Sequence, residues 1–551
     1  MIADLNTSGT DALSDYDLCI VGSGPAGMTL AAELADSGLR LCVLESGRAR
    51  PTKHGDALRR VISEGIIIKE YSRERVLGGA STTWAGLSSP LDAADMEPRA
   101  FLRHSGWPIT RDELVPYWAA AAERYRFAPL ELFGRDGFGA LRERNEVALE
   151  WNDVEEKVFL AASEPQDFGR EQRHVFERDG VDLLLDATLL RLETEGDGKR
   201  ASRAVLATSS GRELTCRARV FVLATGGIEN ARLLLASNLG NEHDQVGRYL
   251  MNHPKNYHGV IRLTQPVREM PYHFGCLHKG YAGYAGLRVP LASQAGRGLL
   301  NHYVRFEPLF PWSGNLGVEA FVFLIKRSRG LLRGWKKKRE DTVVPLRDYS
   351  ETGDDSDLQN ERKGVLDWFK LLGLVVVNLP RVLQYVVSRL REGSSPTIHK
   401  VRLRNFMEME PDPENRVLLG DETDVYGQRV PIVRHQVSQR DRTSLLALHD
   451  ALASDLAVNG FGTLESGLAE AEPWPIDLDA SHHMGTTRMG TDPTDSVVDS
   501  RLRMHSMENV YVAGASVFPT SGCANPTFTL VALSIRLAQH LRERVFTESR
   551  G

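Results

Sequence analysis

Cysteine is scarce and scattered: Cys19, Cys42, Cys216, Cys276 and Cys523 form no CxxC pair and are odd in number. That spacing gives neither a disulfide framework nor a zinc-ligand pattern, so a reducing compartment and no metal are expected. Lysine and arginine are absent before Arg40. Secretory, twin-arginine and mitochondrial signals need basic residues there, so export is disfavoured and a cytoplasmic location is expected. An excess of positive charge is also missing, since the formal net charge is −6 and the pI about 6.3. Binding to phosphate backbones needs a basic surface, which excludes nucleic acid as the main partner and favours small molecules. Long apolar runs are missing too: within the strongly apolar stretch 365–390 the longest uncharged run, 371–380, is ten residues. That is about half a membrane span, so no bilayer crossing is expected. Internal repeats and low-complexity tracts are absent.

The chain has 551 residues, of which 42% are hydrophobic and 25% charged. These are globular values, and the length implies two intimately joined domains with room for a large cofactor. After an acidic lead (Asp4, Asp11, Asp15), residues 17–21 read as a short strand apolar on both faces. Gly22-Ser23-Gly24-Pro25-Ala26-Gly27 then opens a helix of small and apolar residues through Leu34, and 41–44 form a second strand. The order is β-α-β.

Thr110 and Glu113 form a capping box ahead of a helix over 114–125, after the turn Gly106-Trp107-Pro108. Strands are predicted over 183–192, 204–208 and 220–224, the last ending at Gly226-Gly227. The region 256–475 is less regular, with strand candidates at 316–325 and 403–408, and is assigned to capping the substrate. Within it, 326–339 carries eight basic residues and an acidic stretch follows through Glu361, which reads as a mobile surface excursion over 326–362. The basic cluster around Trp335 and the apolar segment after it have the composition of a lid or membrane-touching element, but a solvated loop and a core helix are the expected structures. The chain closes with a strand over 510–513 and a helix over 529–541.

The glycines have separate tasks. Gly22 makes the tight turn, Gly24 lets the backbone approach a pyrophosphate, and Gly27 lets helix pack on strand, with the phosphates at the helix N-terminus. Glu45 ends the second strand 18 residues after Gly27, where a carboxylate accepts ribose hydroxyls and repels a 2′-phosphate, so NADP is disfavoured. A GxGxxG alone is weak evidence; strand, helix, second strand and acid in order make a dinucleotide site.

Near the carboxy terminus, Ser481-His482-His483-Met484-Gly485-Thr486-Thr487-Arg488-Met489-Gly490 is followed by Tyr511-Val512-Ala513-Gly514-Ala515 and by Ala524-Asn525-Pro526-Thr527. With Gly78-Gly79-Ala80-Ser81-Thr82-Thr83-Trp84, Val246-Gly247-Arg248-Tyr249-Leu250-Met251-Asn252-His253-Pro254, Ala224-Thr225-Gly226-Gly227 and 410–417, these segments resemble the glucose-methanol-choline (GMC) oxidoreductases, especially their pyranose-oxidase-like and fructose-dehydrogenase-like branches. The resemblance thins between about 260 and 400, where substrate choice is expected to lie.

The resemblance implies FAD, an α/β fold with a Rossmann-like FAD domain built from separated segments, and an α+β substrate domain whose antiparallel sheet roofs the flavin. The implied domains are 1–105, 180–258 and 476–551 for FAD, and 106–179 with 259–475 for substrate. Implied cofactor contacts are Gly22, Gly24, Pro25, Ala26, Gly27, Glu45 and Ser46 in the first unit, with Gly78, Gly79, Ser81, Thr82, Thr83 and Trp84 in the early motif. Further contacts are Ala187 and Thr188, then Ala224, Thr225 and Gly226, and finally Gly514, Ala515, Asn525, Pro526 and Thr527. His482, three residues before Gly485, matches the family's catalytic base. Adjacent residues of an extended segment point to opposite faces, so only one of His482 and His483 faces the flavin. Asn525 matches the second catalytic partner, with turn or N-cap duty as its plainer role. Relatives with covalent FAD carry a histidine in Thr-His-Trp; here threonine stands there, which implies noncovalent FAD. His253 is expected to be structural.

The expected reaction is oxidation of a hydroxyl on a sugar-like molecule (pyranose, glycoside or cyclitol) by hydride transfer to flavin N5, with a base and a donor converging on one oxygen. The alternatives are a tailoring oxidation of a non-sugar alcohol and a noncatalytic flavin-binding electron-transfer subunit, which a damaged His and Asn pair would mark. Oxidase and dehydrogenase chemistry both remain open, as does the acceptor: oxygen, a quinone or a protein.

Overall fold

A computed structural model describes residues 1–8, 13–141, 149–273, 281–333, 365–393, 396–477 and 481–547. Strand Tyr16–Val21 lies inside an eight-stranded sheet, with Leu41–Glu45 on one side and Glu213–Leu223 on the other, both parallel to it. Being covered on both faces, it has no polar alternation, and Leu18, Cys19 and Ile20 are fully buried. Val181–Leu185 and then Ile2–Asp4 extend one side; Ala201–Ala207 and Thr188–Thr194 fold back antiparallel on the other. Val510–Val512 joins parallel to the end of Glu213–Leu223. The helix Pro25–Leu34 packs against the carboxy-terminal helix Thr527–His540.

The second sheet is antiparallel, in the order Gly462–Glu465, Val260–Val267, Ile398–Phe406, Tyr303–Leu309, Tyr281–Arg288, Glu155–Ala162, with Lys255–Asn256 beside Ile398–Phe406. Its core includes Phe159, Tyr284, Tyr303 and Phe306, along with Leu445, Leu448, Leu452 and Leu456 of the helix Gln439–Val458. A small third sheet pairs Arg416–Thr423 with Arg429–His435, and Arg429–His435 with Ile62–Gly65.

Four local expectations change. The stretch 316–325 is not a strand but the start of helix Leu316–Arg333. Its apolar residues Val318, Phe321 and Val322 stand at i, i+3 and i+4 and share one cluster with Trp312 and Val382. The Asn315 side-chain carbonyl accepts the amides of Gly317 (3.1 Å) and Val318 (3.2 Å) and so starts the helix. A short apolar run fits either period, and packing decides. The single strand expected over 183–192 is two, broken at Asp186, whose φ of 55° is left-handed and whose carboxylate accepts Ser209 N (2.7 Å) and Oγ (2.6 Å). The segment 106–179, expected wholly with the capping part, divides: helix Arg111–Tyr125, capped as expected by Thr110 and Glu113, packs on Thr527–His540, and only Glu155–Ala162 enters the antiparallel sheet. The stretch 365–390 is no core helix but two helices, Val365–Val377 and Leu379–Glu392, with exposed apolar faces. Of the expected excursion, 334–362 lies outside the described residues.

Candidate active site

Register places the first part of the site. Val21 pairs with Leu44 and with Leu223, and Leu223 with Val512, so Gly22, Glu45, Ala224 and Ala513 leave the parallel strands at one edge. Ligands of open α/β sheets sit at that carboxyl edge. Gly22 has φ +102°, and a Cβ there would lie 2.6 Å from the Ala224 carbonyl oxygen. A Cβ on Gly27 would lie 1.9 Å from the Gly22 carbonyl oxygen, so helix and strand touch backbone to backbone. Around Gly24 nothing lies within 4 Å of where its Cβ would be. Gly24 is also the N-cap of the helix begun by Pro25 and Ala26, and no side chain caps it. An uncapped helix N-terminus beside open space is a ready anion site.

The other expected segments converge on this turn. Gly79 approaches so closely that its Cβ would stand 3.1 Å from Gly24 Cα, and Gly78 N–H donates to Ser23 Oγ at 3.1 Å. Ala187 N–H donates to the Glu45 carbonyl at 2.9 Å, which brings Ala187 and Thr188 beside Glu45. The Glu45 carboxylate accepts Ser23 N–H (3.1 Å), Ser23 O–H (2.6 Å) and Gly47 N–H (2.7 Å), so it already braces the loop and offers its remaining lone pairs to a ribose. Ser46 Oγ accepts from Arg75 at 3.2 Å. Gly226 and Gly514, with φ +91° and +102°, also face open space. Asn230, which sequence reading missed, ties these last two turns. Its Oδ1 accepts Thr225 N–H (2.9 Å) and O–H (2.7 Å), and its Nδ2 donates to Ala513 O (3.1 Å) and Ser516 Oγ (2.9 Å).

In the early motif, Ser81 is buried between the Gly78 carbonyl and Phe168 N–H. Thr82 and Thr83 are exposed, with hydroxyls donating to the Gly79 and Ala80 carbonyls. Trp84 anchors the segment, its Nε1 donating to Gln166 O at 2.7 Å. Three glycine turns without side chains around one uncapped helix form a cradle that any Cβ would begin to fill, and the residues present fit FAD.

The second part of the site is a histidine pair. His482 Nδ1 lies 2.9 Å from His253 Nδ1, with the rings nearly perpendicular, and His253 Nε2 lies 2.9 Å from the Gly522 carbonyl oxygen. Asn252 Oδ1 accepts both backbone amides, His482 N at 2.8 Å and His253 N at 2.9 Å, and Met251 and Met484 exchange backbone bonds of 3.0 Å. The network fixes the protons. A carbonyl only accepts, so His253 Nε2 carries hydrogen; burial lowers the His253 pKa to about 4, so the ring is neutral near pH 7 and its Nδ1 is bare. The proton between the two Nδ1 atoms therefore belongs to His482. His253, expected to be structural, thus lies within hydrogen-bond distance of His482 Nδ1. The only sequence signal for this was the Asn-His-Pro triplet.

His483 goes elsewhere. A Cβ on Gly227 would stand 2.3 Å from the His483 carbonyl oxygen, and the ring's buried Nε2 has no hydrogen-bond partner among the described residues. Burial, then Arg73 and His435, push its pKa down to about 3. Asn525 is half-buried, three residues after Gly522. Pro526, not Asn525, is the N-cap of Thr527–His540, and no side chain caps that helix. Gly522 is pressed on Asp95, 2.6 Å from Cγ to where its Cβ would be, and burial, then Asp92 and Glu408, raise the Asp95 pKa to about 6.

A Rossmann-type sheet with glycine turns at its carboxyl edge and a histidine beside them defines an FAD-dependent oxidoreductase, and the family model described as FAD dependent oxidoreductase matches residues 17–281. The chain belongs to the GMC oxidoreductases, whose carboxy-terminal family model matches residues 411–534. It is 23% identical to the 6'''-hydroxyparomomycin C oxidase of Streptomyces lividus, over 96% of this chain and 92% of that one. It is 28% identical to the fructose dehydrogenase large subunit of Gluconobacter japonicus over 66% of this chain, a match that spans 54% of the subunit's length. Its fold is shared with pyridoxine 4-oxidase from Mesorbium loti at TM-score 0.51 and 16% identity, covering 95% and 99% of the two chains.

Proposed function

We propose that this protein oxidises a hydroxyl of a sugar-like molecule to a carbonyl, with His482 as the base, His253 as its orienting partner and Asn525 as donor to the reacting oxygen. The observation that carries the reading is the chain Gly522 O, His253, His482, which puts the shared proton on His482 Nδ1 and so assigns the base's role to its other nitrogen, Nε2. The names of the two relatives, an aminoglycoside oxidase and a fructose dehydrogenase, support carbohydrate over other alcohols.

FAD, when bound, supplies the two-electron acceptor for the hydride that leaves the substrate carbon. Gly24 and the N-terminus of Pro25–Leu34 would hold its phosphates, with Gly22 and Gly27 shaping the turn, and Glu45 would hold its ribose. The early motif 78–84 offers no His, Cys or Tyr for a covalent link, which supports noncovalent FAD. His482 Nε2 takes the hydroxyl proton as the carbon–hydrogen bond breaks; His253 keeps accepting from Nδ1–H as His482 becomes cationic. The Asn525 amide donates to the developing alkoxide. The domain division 1–105, 180–258 and 476–551 against 106–179 and 259–475 is part of this reading, with residues 106–127 shifted to the FAD side.

The test is the visible spectrum of the purified protein under anaerobic conditions as fructose, glucose, glycosides, aminoglycosides, cyclitols and simple alcohols are added. Bleaching of the flavin band by carbohydrates is expected. Bleaching by simple alcohols alone, or by none of the panel, overturns the substrate class, and absence of a flavin after reconstitution overturns the whole reading. Trichloroacetic acid precipitation is expected to release the flavin into the supernatant.

A further inference from the structure

Exposed apolar side chains are concentrated on one helix pair. Among the described residues thirteen large hydrophobic side chains are exposed, and eight of them fall between 369 and 390. Scattered exposed apolar residues are ordinary; a concentration of this kind marks an interaction surface. On Val365–Val377 the exposed positions Phe369, Leu372 and Val376 follow helical spacing, as do Leu379, Leu383, Val387 and Leu390 on Leu379–Glu392. The flanking side is the packed one, where Val375, Val382 and Val386 lie with Trp312, Val318 and Phe321. Each helix therefore carries apolar residues beyond its packed side, and among the described residues only that side has an apolar partner.

The element is built, not frayed. The two helices meet at 82°. At the bend Asn378 Oδ1 accepts Asn315 Nδ2 at 3.0 Å, Asn378 Nδ2 donates to Leu374 O at 2.9 Å, and Gly317 approaches so closely that its Cβ would lie 2.3 Å from Asn378 Cβ. At the bend Val376 is 70% and Val377 80% exposed. Between Trp368 and Arg391 stand four basic residues and no acidic one, although the whole chain is net negative. Lys370, Arg381 and Arg391 are exposed beside the apolar stripes.

We propose that this bent helix pair docks the protein on an anionic lipid surface, inserting the tip around Val376, Val377 and Leu379 while Lys370, Arg381 and Arg391 meet the headgroups. Charge decides between a membrane and a second copy: two copies of this face carry like charge, whereas anionic headgroups complement it. Among the described residues no single helix is long and apolar enough to cross a membrane; the bent pair taken together is, by length and composition, and its 82° bend fits an insertion that turns back at the surface rather than one that spans.

The experiment is flotation of the FAD-loaded full chain with phosphatidylcholine vesicles, with and without phosphatidylglycerol. Binding to the anionic vesicles that weakens with salt is expected, along with a fall of about 100-fold in partition for Val377→Asp/Leu379→Asp. Flavin content and melting temperature stay those of wild type, since both side chains point outward. Lys370→Glu/Arg381→Glu is expected to abolish the preference for anionic vesicles. Wild type failing to float, or floating equally well as either variant, overturns the proposal. So does light scattering that gives wild type twice the 61.2 kDa chain mass and the Val377→Asp/Leu379→Asp variant the single mass, which assigns the face to a second copy.

Discussion

Replacing His253 by phenylalanine keeps a ring of similar size beside His482 and removes the acceptor 2.9 Å from its Nδ1. The Nδ1–H of His482, half-buried, then loses its partner, and the tautomer with hydrogen on Nε2 is no longer disfavoured. Leaving a buried donor unmade costs about 1–3 kcal/mol, which corresponds to about 5- to 150-fold in rate. The assay is stopped-flow anaerobic flavin reduction with the best-reducing carbohydrate of the panel. His253→Phe is expected to slow the step by that factor with little change in flavin content. His253→Gln is expected to recover part of it, because an amide can accept from His482 and donate to the Gly522 carbonyl at once. In the double variant His253→Phe/His482→Ala, the phenylalanine adds no further loss, since His253 acts only through His482. A rate within about twofold of wild type for His253→Phe refutes the relay, as the change then falls below the smallest hydrogen-bond contribution.

His482→Ala should lower the reductive rate by about 100-fold or more, the usual worth of positioned proton transfer, and a loss of only a few-fold would move the base to another residue. Gly24→Ala should fold with unchanged stability, because its φ is −69° and no protein atom lies within 4 Å of the new methyl. Its FAD affinity, titrated by fluorescence quenching, should fall by about 10- to 100-fold through overpacking on the pyrophosphate; unchanged affinity would remove the phosphates from this turn. Asp455 is fully buried and accepts the amides of Asn152, Asp153 (2.8 Å) and Val154 (3.0 Å), fastening the start of strand Glu155–Ala162 to helix Gln439–Val458. Asp455→Asn turns an acceptor into a donor facing those amides and should cost about 2–3 kcal/mol in urea unfolding. Burial lowers the pKa of His253, His302, His435 and His449 to about 4 and of His483 to about 3. An unfolded histidine binds its proton near pH 6.5, so this stability is complete above that pH and is lost as pH falls toward 4. Each ring should remove about 2 kcal/mol between pH 7 and 5, and a urea midpoint that stays flat over that range would contradict the assignment of these rings as buried and neutral.

The sequence by itself determined the parts whose chemistry is local. A turn that must pass left-handed at Gly22 and touch backbone at Gly27 admits only glycine, so the nucleotide cradle was legible from spacing. The capping box at Thr110 and Glu113 and the all-apolar strand at Tyr16–Val21 were legible for the same reason, because neighbours along the chain decide them. Tertiary structure decided what depends on residues distant in sequence. His253 and His482 are 229 positions apart, and nothing in either segment shows that their Nδ1 atoms meet or that Gly522 sets the proton order. Asn230 gave no motif because it binds turns on two separated strands. The stretch 316–325 became a helix because Val318, Phe321 and Val322 found Val375, Val382 and Val386 to pack on, and an apolar run of ten carries no period strong enough to oppose that. The 365–390 stretch has core composition, yet only one of its apolar faces has a partner. Composition records how much a residue would gain from burial, and only the fold supplies the surface that buries it.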